Sequence, residues 1–215
     1  MFPLLRTTLN NFYTKITGKC APNKYIRINN AVRADLLWAI QHLESNPGVR
    51  LIHHLQWDIS SADLIIYCDA CLDGMGFWLP DKCVGFYSPV PENMTDKQIF
   101  YFEALCVLSA IHHATDFLHV PPLSRILIYT DNDNTVAIFN TLRCLPWYNP
   151  ILIDAADISI MSGIHLRVLH IPGDLNYVAD AISCKKFSLA QQYVPGIAIS
   201  SFLPPRLLPL GAPKK

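Results

Sequence analysis

Two short apolar runs each end in a carboxylate, and this limits the chain more than any other feature. Residues 64–68 (L-I-I-Y-C) run into Asp69, and residues 125–130 (R-I-L-I-Y-T) run into Asp131. A short apolar run bounded by turn signals reads as a strand buried on both faces. Burying a lone charge is costly, so each Asp either has a cation or donor beside it or merely caps a turn. After Asp69, Gly74 and Gly76 allow a tight return into a second strand.

The rest of the chain arranges itself around these two runs. Residues 77–79 and 83–87 read as second and third strands about a Pro80-Asp81-Lys82 turn, an antiparallel meander. Thr95 and Gln98 match a capping box, which predicts a helix from residue 96 to about 118. Its apolar positions (Ile99, Phe102, Leu105, Leu108, Ile111) keep helical spacing, and Glu103 lies in the same half. Glu is rarely buried unpaired, so Glu103 either wants a cation or sits on the border of the face. Past residue 130, Asn132 or Asn134 can cap a short helix to about residue 142. A helix over 151–161, a strand over 164–171 and a helix over 175–184 carrying Asp180 follow. Upstream, residues 1–29 read as irregular. Asn30 can cap a helix to about residue 45, ended by Asn46-Pro47-Gly48.

This order predicts an α/β fold: a mixed five-stranded sheet, first an antiparallel meander and then parallel strands, flanked by helices. A strand–helix–strand crossover is right-handed and makes the joined strands parallel. The first and fourth strands then lie side by side, and Asp69 and Asp131 emerge together at their carboxyl ends.

Composition narrows the class. The 215 residues suffice for one domain with extensions, and no apolar run is long enough to span a bilayer. The N-terminus lacks the basic and apolar regions of a secretory signal. Seven cysteines at irregular spacing argue against a disulfide framework and for a reducing, intracellular setting, cytoplasmic or nuclear. Cys68 and Cys71 form one C-x-x-C with no second pair at zinc spacing, so they read as strand-lining thiols. The net charge of zero hides an asymmetry: +6 over residues 1–34, −11 over 35–184 and +5 over 185–215. Basic arms around an acidic body suit a protein that meets phosphate with its flanks and cations with its centre; ordinary solvated tails give the same pattern.

Asp69, Glu103, Asp131 and Asp180 therefore ask to be read together. Like charges at close range raise one another's pKa, and a divalent cation relieves this. Hard oxygen ligands point to magnesium, with manganese as the alternative, rather than to zinc. Two such ions are a common device for in-line attack on a phosphodiester.

The motifs around these residues resemble the ribonuclease H domain of retroelement reverse transcriptases. They are Asp69-Ala70-Cys71-Leu72-Asp73-Gly74-Met75-Gly76, Phe102-Glu103-Ala104-Leu105, Tyr129-Thr130-Asp131-Asn132 and a string from His170 to Ser183, H-I-P-G-D-L-N-Y-V-A-D-A-I-S. The last is the most specific and is closest to gypsy-like and DIRS-like retrotransposons. The resemblance covers about residues 60–187. Residues 1–59, basic and with one helix, resemble a polymerase-to-nuclease connector; residues 188–215 form a Pro-rich irregular tail. The resemblance implies a ribonuclease H-like fold and cleavage of the RNA strand of RNA–DNA hybrids. It makes Asp69, Glu103, Asp131 and Asp180 the ligands of two Mg2+ ions. It also makes His170 a proton-transfer or product-release residue, and Asn132, Asn134 and Asn176 nucleic-acid contacts, Asn176 otherwise a helix cap.

There are departures. Cys71 stands where a small hydroxyl residue is common, and no helix of residues 60–187 carries a basic cluster, so grip on a duplex should be weak. No Y-x-D-D motif occurs, so a polymerase domain or subunit would have to be supplied separately. The alternative is an inactive relic or connection-like domain that binds nucleic acid or a partner subunit. An integrase-type strand transferase is disfavoured, because its last acid is a Glu.

Overall fold

A computed structural model describes residues 3–19, 23, 25–45, 57–90, 99–145 and 147–207. The strands are β1 (Leu64–Ala70), β2 (Gly74–Leu79), β3 (Val84–Pro89), β4 (Arg125–Thr130), β5 (His165–His170) and β6 (Ala198–Ser201). They form one sheet in the order β5-β4-β1-β2-β3-β6. β1 pairs antiparallel with β2, and β2 with β3; β4 lies parallel to β1, and β5 parallel to β4. The predicted meander and parallel half are both present, and the arrangement is ribonuclease H-like.

The helices are α1 (Asn10–Ile16), α2 (Asn30–Ser45), α3 (Ile99–His112), α4 (Asp133–Thr141), α5 (Asn149–Ser162), α6 (Tyr177–Ser183) and α7 (Phe187–Tyr193). α3 packs on β1 and β2 and is itself covered by α4 and α5. Every residue from Tyr101 to Ile111 is therefore buried, Glu103 included. α3 ends in a π-helical turn over His113–Phe117, close to the predicted limit at 118. Its predicted capping box, Thr95 with Gln98, and the predicted stop of α2 at Asn46-Pro47-Gly48 lie outside the described residues. β4 is apolar on both faces, with Ile126, Leu127 and Ile128 fully buried, as its unbroken apolar run requires.

Three parts depart from expectation. The first 29 residues are not wholly irregular: a 3-10 helix covers Pro3–Leu9 and runs into α1. Distant partners hold this segment, not local periodicity. Asn10 Nδ2 donates to Asn149 Oδ1 of α5 at 2.6 Å, and Asn11 Nδ2 donates to Asp35 Oδ1 of α2 at 2.9 Å. The residue that caps α2 is Asn29, not Asn30, through a bond from the Val32 N–H. Nor is the tail irregular at its start. α7 is followed by β6, a sixth strand parallel to β3. Phe187 packs edge-on against Tyr87 of β3, and Ala190 and Ile197 bury against α6. Among the described residues no helix is long and apolar enough to cross a membrane.

Candidate metal centre

Asp69 is the penultimate residue of β1, and Asp131 directly follows β4. These strands are parallel neighbours, so the two carboxylates leave the sheet at the same end. Glu103, on the second turn of α3, reaches the same point from the helix that covers β1. One oxygen from each of Asp69, Glu103 and Asp131 lies within 4.8 Å of the other two.

Two of the three carboxylates are buried, and few side-chain donors reach the cluster. Asp69 is 6% exposed and Glu103 4%; Asp131 is half-buried. Thr130 Oγ1 donates to Glu103 Oε2 at 3.4 Å. The Ser183 hydroxyl donates to Asp69 Oδ2. Among the described residues no lysine or arginine pairs with any of the three. Burial, with the neighbouring Asp69 and Asp131 charges, pushes the Glu103 carboxyl up to about 9. Burial, opposed by the Ser183 bond and reinforced by Asp131 and Asp180, lifts Asp69 to about 6. Asp131 is also raised, chiefly by burial, while the nearby His170 acts to lower it. Three converging hard-oxygen ligands with no cation at hand fit a divalent ion of the magnesium type.

The last motif builds the other wall. Asn176 precedes α6 and donates through Nδ2 to the Cys68 carbonyl at 2.9 Å. Gly76 of β2 allows α6 to approach, since a Cβ there would sit 2.5 Å from the Ser183 backbone nitrogen. Gly173 does the same for the preceding loop: its Cβ would meet Asp131 Oδ2 at 3.1 Å. Hence the glycines and Asn176 in these motifs answer to packing.

The remaining predicted residues are spread around this cluster. Asp180 is exposed on α6. It lies close enough to bear on the Asp69 and Asp131 charges but outside the three-carboxylate group, and its Oδ1 accepts from the Cys184 thiol at 3.7 Å. His170 ends β5 at the rim, 43% exposed, with Nε2 3.8 Å from Asp133 Oδ1. Asn132 caps α4 by accepting from the Thr135 N–H, and Asn134 is exposed beside it. Asn176, expected as a nucleic-acid contact or helix cap, is buried at 2% exposure and makes no side-chain cap to α6. Its amide instead anchors the loop to β1. Ser183 and Thr130, both inside the recognised strings, received no role from sequence; only their hydrogen bonds reveal one.

No family model matches this sequence, and no curated protein does. Among solved structures, the chain is similar to LC11-RNase H1 in complex with an RNA/DNA hybrid, at 16% identity and TM-score 0.47, covering 55% of this chain and 92% of that one. It is similar to the ribonuclease H1 of the halophilic archaeon Halobacterium salinarum NRC-1, at 15% identity and TM-score 0.42, covering 58% and 97%. It is also similar to the foamy viral protease-reverse transcriptase in complex with an RNA/DNA hybrid, at 16% identity and TM-score 0.43. That match covers 60% of this chain and 20% of the viral polypeptide.

Proposed function

We propose that this chain is a divalent-metal-dependent endonuclease that cuts the RNA strand of RNA–DNA hybrids. On this reading it is the ribonuclease H part of a retroelement reverse transcriptase, with its polymerase supplied separately. The observation that carries the proposal is the convergence of Asp69, Glu103 and Asp131 at one sheet end without a basic partner. The resemblance of the four motif strings supports the choice of reaction and substrate.

Asp69, Glu103 and Asp131 would hold one magnesium ion, and Asp180 would help Asp69 hold a second. When bound, such ions supply the positive charge that favours attack by water and departure of the leaving oxygen. The chain's own residues do the rest. The Ser183 hydroxyl fixes the orientation of Asp69, and Thr130 does so for Glu103. His170, exposed at the rim, takes or gives a proton through its imidazole as product leaves. Asn132 and Asn134, at the start of α4, face the sugar-phosphate backbone. Specificity comes from helix shape and 2′-hydroxyl contacts rather than base sequence.

The second reading, an inactive domain that binds nucleic acid or a polymerase subunit, draws on the missing Y-x-D-D motif and the lack of a basic cluster on any helix of residues 60–187. Cleavage of a labelled RNA–DNA hybrid with magnesium separates the two. Wild type should cut and Asp131→Asn should not. A folded wild type that binds the hybrid and leaves it whole defeats the nuclease reading.

A further inference from the structure

Two adjacent lysines stand where local rules call for other residues. Helix α6 ends in a Schellman cap: the Lys186 N–H donates to the Ala181 carbonyl at 2.7 Å and the Lys185 N–H to the Ile182 carbonyl at 3.0 Å. The cap puts Lys185 in the left-handed region, at φ 58°. Glycine is the usual residue there, because a Cβ is strained in that conformation. Lys186 then takes the N-cap of α7 and makes no side-chain cap. Ser, Thr, Asp and Asn are the preferred caps, and positive charge at a helix N-terminus is unfavourable. The C-terminus of α6 welcomes a cation, but the pair also stands at the start of α7, so helix dipoles do not account for both lysines. Both are exposed, and among the described residues neither forms an ion pair.

What the two share is their place. Two residues before Lys185, the Ser183 hydroxyl donates to Asp69. Next to Lys186, Phe187 packs edge-on against Tyr87, whose hydroxyl donates to the Asp73 carbonyl at 3.1 Å in the turn that follows Asp69. The lysine pair is thus pinned on both sides to the segment that carries Asp69, at the end of the sheet where the carboxylates meet. Lys82 and Arg125 lie at the other end, beyond the finish of β2 and at the start of β4. Arg167 is taken up by Trp57, donating to its carbonyl at 2.7 Å. Strained backbone and broken local preferences gather at functional positions, and here they carry two unpaired charges.

We propose that Lys185 and Lys186 hold a backbone phosphate of the bound RNA–DNA hybrid, on the α6 side of the carboxylate cluster. The choice of ligand rests on the nuclease reading. Ammonium groups act as point charges, so the contact positions the duplex without reading its sequence. It also offsets the repulsion that a body carrying −11 over residues 35–184 exerts on a polyanion.

The test reads binding, not cleavage. Anisotropy of a labelled RNA–DNA hybrid is followed in EDTA over a range of potassium chloride concentrations, with the full chain. Lys185→Gly and Lys186→Ser each give the backbone the residue it prefers. Lys185→Gly should therefore melt about 2–4 °C higher than wild type, and Lys186→Ser no lower. Each should nevertheless bind more weakly, and each should reduce the slope of log affinity against log salt by about 0.9. Lys185→Arg should keep the wild-type slope. An unchanged slope in either variant, or a wild type that does not bind, overturns the proposal. So does a lower melting temperature in either, which would show that the side chain serves the fold. A hybrid held in this lysine-dependent way but never cut in magnesium would defeat the nuclease reading and leave the phosphate contact standing.

Discussion

The Ser183 hydroxyl donates to Asp69 Oδ2, joining the last residue of α6 to the end of β1. Asp69 thus receives a fixed donor from an element more than a hundred residues away. Replacing Ser183 with Ala leaves a buried carboxylate one donor short. The expected cost at neutral pH is about 1–3 kcal/mol of stability, with a further rise in the Asp69 pKa and weaker magnesium binding. Paired melts of Ser183→Ala and wild type, with and without magnesium, check this. Equal melting temperatures would mean that the bond contributes nothing.

The carboxylate cluster makes the metal-free protein alkali-sensitive. Asp69 is raised from 3.8 to about 6 and Glu103 from 4.5 to about 9. The folded state therefore binds these protons more tightly than the unfolded chain. Stability from these groups is fully present below the unfolded values. It falls as pH rises toward 6 for Asp69 and toward 9 for Glu103, by at most about 1.4 kcal/mol per pH unit for each group. A divalent ion prefers the ionised carboxylates, so its stabilising effect should grow over the same range. Melts from pH 5 to 9, in EDTA and in magnesium, should diverge with rising pH. Glu103→Gln should flatten the EDTA curve above about pH 6 and shrink the magnesium effect. An EDTA curve that climbs between pH 6 and 9 would contradict this.

Asp157 of α5 clasps the N-terminal part to the domain. Its Oδ1 accepts from Trp38 Nε1 at 2.6 Å and lies 3.1 Å from Nε2 of His42, both on α2. Asp157→Ala leaves these ring nitrogens without that acceptor, at about 1–3 kcal/mol. Trypsin should then cut sooner after Arg27 and Arg33, while the magnesium effect on melting persists. Unchanged cleavage rates would show that other contacts hold the segment.

The sheet was legible because its signals are local. The apolar runs before Asp69 and Asp131 mark buried strands, and the crossover rule makes them neighbours. Glu103 was legible because a carboxylate amid Phe102, Leu105 and Ile111 demands a reason. The ends were not, because their order comes from distant partners: Asn10 on Asn149, Phe187 on Tyr87, and a four-residue strand too short to show alternation. Asn176 misled for a related reason. Its motif position is recognisable, but whether an amide faces solvent or a buried carbonyl is decided by packing of the loop on β1.

Among the described residues, the strand outside β3 is the last to be made. β3 acquires its outer neighbour only when residues 198–201 arrive, more than a hundred residues after it. Until then, a nascent chain carries the whole carboxylate cluster and yet leaves β3 with an open row of backbone donors and acceptors, the kind of edge on which chains pair with one another. Shortening the protein to its four motifs would make that transient exposure permanent.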